Sequence, residues 1–142
     1  MGRANYDDDG DFIELWRGAV DRAIKGMRGQ AFLRELIVSL DALTEKILIA
    51  DDIVDAHGSV CALGAVAKSR HITQPLDPEN HDQLSRVFGI APAMVREIEF
   101  MNDEYWGTAT PEKRFEKIRE WAIAQLAEEN AAHEANAEAQ TQ

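Results

Sequence analysis

The stretch from Leu84 to Ile98 constrains the fold of this chain more than any other. Leu84, Phe88, Ile90, Val95 and Ile98 recur at helical spacing, Ser85 is small where two helices must approach, and Gly89 stands where the chain must turn. This is the pattern of a helix–turn–helix pair, whose helices bury a shared apolar seam. An ordinary helical hairpin needs the same packing, so the pattern sets architecture and leaves the role open. Charge bears on the role. From Asp77 to Glu104 there are seven acids against two arginines, Arg86 and Arg96, and the second helix carries Glu97, Glu99, Asp103 and Glu104. Phosphates are contacted by Lys and Arg, so a helix this acidic suits duplex DNA poorly.

Helical spacing recurs along the rest of the chain. Phe12, Ile13, Leu15, Trp16, Ala19, Val20, Ala23 and Ile24 predict a first helix from Asp11 to about Lys25, stopped at Gly26. Phe32, Leu33, Leu36, Ile37 and Leu40 predict a second from about Gln30 to Leu43. A third is expected over Val60–Arg70, behind Ser59, with Ala62, Gly64 and Ala65 permitting close packing. Pro75 and Pro78 interrupt the chain, and further helices follow at about Pro78–Phe88 and Pro92–Glu104. Thr110-Pro111-Glu112 is a start signal, with a hydroxyl cap, proline at the first helical position and an acid in the first turn. The predicted fold is all-α, a compact bundle of five or six helices, with at most one very short strand pair at Ile47-Leu48-Ile49. Its expected core includes Phe32, Leu36, Leu40, Leu63, Val66, Phe88, Val95, Ile98, Ile118 and Trp121. Residues 1–10, with Asp7-Asp8-Asp9-Gly10, read as a disordered acidic N-terminus. Residues 11–126 read as one helical domain, and 127–142 as a frayed helical or disordered tail.

Length and charge narrow the classes. A chain of 142 residues fits one domain with a real core. Fifteen basic and 26 acidic residues leave a net charge of −11, which opposes broad binding to nucleic acid or anionic membrane and suits a basic partner surface. A single cysteine, Cys61, excludes an intramolecular disulfide and a cysteine-rich zinc site, and fits a reducing interior. No apolar run approaches the roughly 18 residues of a membrane span, and the N-terminus lacks a signal peptide's apolar stretch.

Several short motifs invite chemistry. Arg17, Arg22, Lys25, Arg28 and Arg34 cluster around the first turn, and Lys25-Gly26-Met27-Arg28-Gly29 leads into a helix N-terminus. Lys25, Arg28 and Gly29 are therefore the candidates for holding an anion, since glycines free backbone amides and the helix end adds partial positive charge. Asp51, Asp52 and Asp55 have the spacing of a magnesium–diphosphate motif, although a solvated acidic turn has the same composition. His57 and Cys61, four apart with Gly58 between, do not define a metal site, and no metal or cofactor is expected. Trp106 sits beside Tyr105 in a break after Asp103-Glu104, where an exposed aromatic would make a binding anchor.

Gly29-Gln30-Ala31-Phe32-Leu33-Arg34-Glu35-Leu36, Val60-Cys61-Ala62-Leu63-Gly64-Ala65-Val66, Phe88-Gly89-Ile90-Ala91 and Met101-Asn102-Asp103-Glu104 together resemble small phage and prophage proteins, over about Arg28 to Leu126. The resemblance implies an accessory inhibitor of a host system, anti-CRISPR proteins among them, and carries over no site residues. The expected function is that of a nonenzymatic interaction protein, cytoplasmic in the host cell. It would meet a basic, nucleic-acid-binding surface on a host protein through Glu97, Glu99, Asp103, Glu104 and Trp106, as a monomer or homodimer away from membranes. The alternatives are a DNA regulator reading with Ala91–Glu104, and an enzyme or small-anion binder using the Lys25–Gly29 loop or Asp51, Asp52 and Asp55.

Overall fold

Helix α1 (Gly10–Lys25) ends at a single linking residue, Gly26, and α2 (Met27–Asp41) begins at once. α3 (Ala62–Ser69), α4 (His81–Phe88), α5 (Pro92–Asp103) and α6 (Pro111–Thr141) complete an all-α fold. This computed structural model describes residues 10–107 and 109–141, with side chains over 14–107 and 109–126. The acidic stretch 1–9 and the side chains of 127–142 lie outside the described residues. No strand occurs among the described residues. Ile47-Leu48-Ile49 has no regular secondary structure, and the only β pairing among the described residues is an isolated bridge between Val54 and Val60.

Local chemistry explains most boundaries. Gly89 takes a left-handed φ of 72° at the end of α4, its amide bonding the Ser85 carbonyl, while Ser85 Oγ donates to the Ile90 carbonyl. Pro92 opens α5 at its first turn. Thr110 Oγ1 accepts from the Lys113 amide at the start of α6. Two starts differ from expectation. α3 is capped by Cys61, whose Sγ accepts from the Gly64 amide, rather than by Ser59. α4 begins at His81 rather than Pro78, because Asn80 Oδ1 accepts from the Gln83 amide. The second helix starts earlier than Gln30. Gly29 lies inside it, because the residue is small for packing rather than for turning.

α5 sits at the centre, touching α1, α3, α4 and α6, while α2 packs on α1, α3 and α6. Nine of the ten expected core residues are buried, and Trp121 is packed partly buried against them. Between α2 and α3 the chain forms no helix and is held both by backbone bonds, such as Ile49 N–H to the Val60 carbonyl and Leu48 N–H to the Pro111 carbonyl, and by side chains of α5 and α6. Asn102 Oδ1 accepts from the Ala62 amide and Asn102 Nδ2 donates to the Ile49 carbonyl. The buried Arg114 guanidinium donates to the carbonyls of Leu48, Asn102 and Ala109 at 3.1, 2.8 and 3.2 Å. It is thus satisfied by three carbonyl oxygens gathered from three parts of the chain.

Arg70, just past α3, binds Glu35 of α2 in a fork with bonds of 2.7 and 2.6 Å and also donates to the Val87 carbonyl. That hydrogen bonding holds the Glu35 carboxyl below its usual range. A carboxyl depressed by folding adds stability above its unfolded value of about 4.3 and loses it as pH falls through the folded value. Glu35→Gln should therefore lower Tm at pH 7, and the gap from wild type should close as pH falls towards 3. A gap that is constant in thermal melts across that range would remove the pair's role.

Candidate functional site

The C-terminal end of α5 assembles the most distinctive surface. The amides of Glu104 and Tyr105 both bond the Phe100 carbonyl, and Gly107 follows with a φ of 63°. This tight exit leaves Tyr105 57% exposed and Trp106 partly buried. Phe100, Tyr105 and Trp106 form an edge-to-face series with centroid separations of 5.9 and 4.4 Å. With Met101, Trp121 and Ala124 they line a groove of ≈ 480 Å³ between α1, α5 and α6, open to solvent. Its charges come in pairs. Arg17 meets Glu97 at 2.9 Å and Lys117 meets Glu120 at 3.6 Å, with the Lys117 ammonium 5.7 Å from the Trp106 ring centroid. Trp106 Nε1–H is shielded from water and has no acceptor among the described residues. The Asp51 amide bonds Asp103 Oδ1 at 3.2 Å and Asn102 Nδ2 donates to the same oxygen at 2.6 Å, so Asp51 lies against the end of α5.

The acidic face expected along α5 loses its two central members to the interior. Glu97 and Glu99 are 3% and 2% exposed. Glu97 takes both NH1 bonds from Arg17, at 3.0 and 2.9 Å. Glu99 Oε2 lies 3.0 Å from His81 Nε2, while Arg96 Nε donates to His81 Nδ1 at 3.1 Å. The Arg96 guanidinium stacks 4.5 Å from the Trp16 ring centroid. The network joins α1, α4 and α5 and ties the three helices together. Asp103 and Glu104 stay half-buried at the helix end. Trp106, expected as an exposed anchor, instead forms groove wall, and Tyr105 is the exposed ring.

At the basic first turn a methyl on Gly29 would collide with the Ala23 carbonyl oxygen and meet that of Ile24 at 2.8 Å, so the α-carbon of Gly29 packs on the C-terminal carbonyls of α1. The Gln30 amide bonds the Gly26 carbonyl, and the Gln30 side chain donates to the Ile24 carbonyl. Of the two amides expected to face an anion, that of Gln30 is thus taken, and Lys25 and Arg28 are exposed. Asp51, Asp52 and Asp55 are not on a helix. Asp51 has φ 68°, Asp52 accepts from the Ile53 amide, and Asp55 accepts from the His57 and Ser59 amides. Among the described residues no group of three or more His, Cys, Asp or Glu is placed to hold a metal. Cys61 is buried and His57 exposed. No described helix is long and apolar enough to cross a membrane.

Sequence reasoning missed the His81–Glu99–Arg96 network because its members are 15 and 18 residues apart. A signal existed. Met94, Val95, Ile98 and Met101 surround α5 on more than one side, leaving little outer face for acids at 97 and 99. No protein-family model, curated protein or solved structure matches the chain.

Proposed function

We propose that this protein is a nonenzymatic interaction protein, of the kind phages use to inhibit a host defence complex, that covers a basic nucleic-acid-binding surface on a host protein. The observation that carries the reading is the exposed Tyr105 in the wall of an aromatic groove, directly after Asp103 and Glu104 in the chain, with Asp51 bonded to Asp103. Aromatic side chains with low rotamer entropy anchor interfaces. Acids beside them steer a basic partner and exclude an acidic one. The net charge of −11 extends that field over the whole molecule. Reading DNA with α5 is disfavoured by burial, because eight of its residues are interior, leaving only Pro92, Arg96, Phe100 and Asp103 outside that set.

The test is a charge reversal placed where it leaves the fold intact. Asp52→Lys with Glu104→Lys should slow association with a host protein captured by the wild type and should weaken the complex by tenfold or more, about 1.4 kcal/mol. Tyr105→Ala should weaken it by a similar factor or more. The wild-type on-rate should fall as salt rises. Unchanged association kinetics in the double variant, or tight sequence-specific binding of duplex DNA by the wild type, would refute the proposal.

A further inference from the structure

We infer that the groove between α1, α5 and α6 is the seat for one large apolar side chain on a partner polypeptide segment whose flanking residues are Lys or Arg. The inference rests on the interaction reading above and names what the partner inserts. Three observations point to this occupant. The walls are aromatic and aliphatic, from Phe100, Met101, Trp106 and Trp121, which favours an apolar plug. The groove's own charges are cancelled in pairs, Arg17 with Glu97 and Lys117 with Glu120, so its lining selects no charge. The lip is different. Glu104 directly precedes Tyr105 of the groove wall, and Asp103, which accepts from the Asp51 amide and from Asn102 Nδ2, comes just before it, so the α5 end of the groove is bordered by acids. An acidic segment is repelled there and a basic one attracted.

The groove's openness argues for a polypeptide. The groove is widely open to solvent, which would leave a small molecule partly wet; small-ligand sites bury about 70–90% of their occupant. A chain segment covers the opening with its own backbone.

The full-length protein, immobilised, is panned against a displayed library of random short peptides. Enriched peptides should share one large apolar residue flanked by Lys or Arg. Their synthetic forms should lose tenfold or more in affinity to Ala124→Arg, which fills the groove from an exposed position and should leave Tm unchanged. Trp106→Ala, which removes part of the groove wall, should also weaken binding, and the Trp106 ring resonances should shift in NMR spectra on peptide binding. No enrichment, an acidic or purely polar consensus, or full affinity in Ala124→Arg would each overturn the inference. So would a dimer that Ala124→Arg dissociates, since a second copy would then be the occupant. Removal of residues 1–9 that raises peptide affinity severalfold would assign the groove to the chain's own N-terminus and overturn it too. The two proposals fail separately. Host-protein capture that is lost in Asp52→Lys with Glu104→Lys but kept in Ala124→Arg sinks the groove alone. Groove-dependent peptide binding with unchanged capture by the charge variants sinks the functional reading alone.

Discussion

Gly29→Ala is expected to cost about 3 kcal/mol or more, at or beyond the upper end of the usual cost of overpacking. The added methyl would overlap the Ala23 carbonyl oxygen and sit 2.8 Å from that of Ile24. Both are backbone atoms, so no side chain can swing away. The only relief is to pull α1 from α2, which shears the contact that buries Val20, Ile24 and Leu33. The control lies three residues away. Gly26→Ala meets its nearest backbone oxygen at 3.3 Å in an exposed linker with φ −70°, so it should change stability by less than about 1 kcal/mol. Urea unfolding of the two variants distinguishes a packing glycine from a turning one. Equal midpoints would mean that the α1–α2 contact yields more easily than its geometry implies.

The second large effect is electrostatic. Glu97→Lys should destabilise by about 3–5 kcal/mol, the cost of burying a charge whose partner has the same sign. The Glu97 side chain is 4% exposed and faces Arg17, so a lysine there has neither water nor counter-charge. Glu97→Gln keeps an acceptor for Arg17 and should cost less. Glu104→Lys, at the helix end, should stay within about 0.5 kcal/mol of wild type. Chemical denaturation with circular dichroism ranks the three. If Glu97→Lys melts with the wild type, the carboxylate is not interior. The ranking also bears on function, because weak partner binding by a Glu97 variant would report unfolding rather than a lost contact.

The helices were legible in the sequence because their signals are local. The spacing of Leu84, Phe88, Val95 and Ile98, the turn at Gly89 and the Thr110-Pro111-Glu112 start each depend on a few adjacent residues, and each holds in the structure. Gly29 misled because glycine has two uses. One is to turn a chain and the other is to let backbones touch, and only the position of Ala23 in space tells them apart. The acids of α5 misled for a related reason. Glu97 and Glu99 are polar, but their partners Arg17 and His81 come from other helices, and charge alone cannot say which way a side chain faces. The pairing of an acidic rim with an aromatic break was visible at Asp103-Glu104-Tyr105-Trp106. The groove behind it was not, since α1 and α6 supply its other walls.

The Arg114 and Asn102 contacts carry a consequence for how the molecule assembles. The irregular segment between α2 and α3 is tied to distant chain by two side chains: Asn102 donates to its Ile49 carbonyl across 53 residues, and Arg114 donates to its Leu48 carbonyl across 66. Such contacts close only after the intervening chain has paid its loop entropy. The segment is therefore expected to order late, as a clasp fastened once α5 and α6 have met, and to loosen when α6 is released, which hydrogen exchange at the Leu48 amide would report.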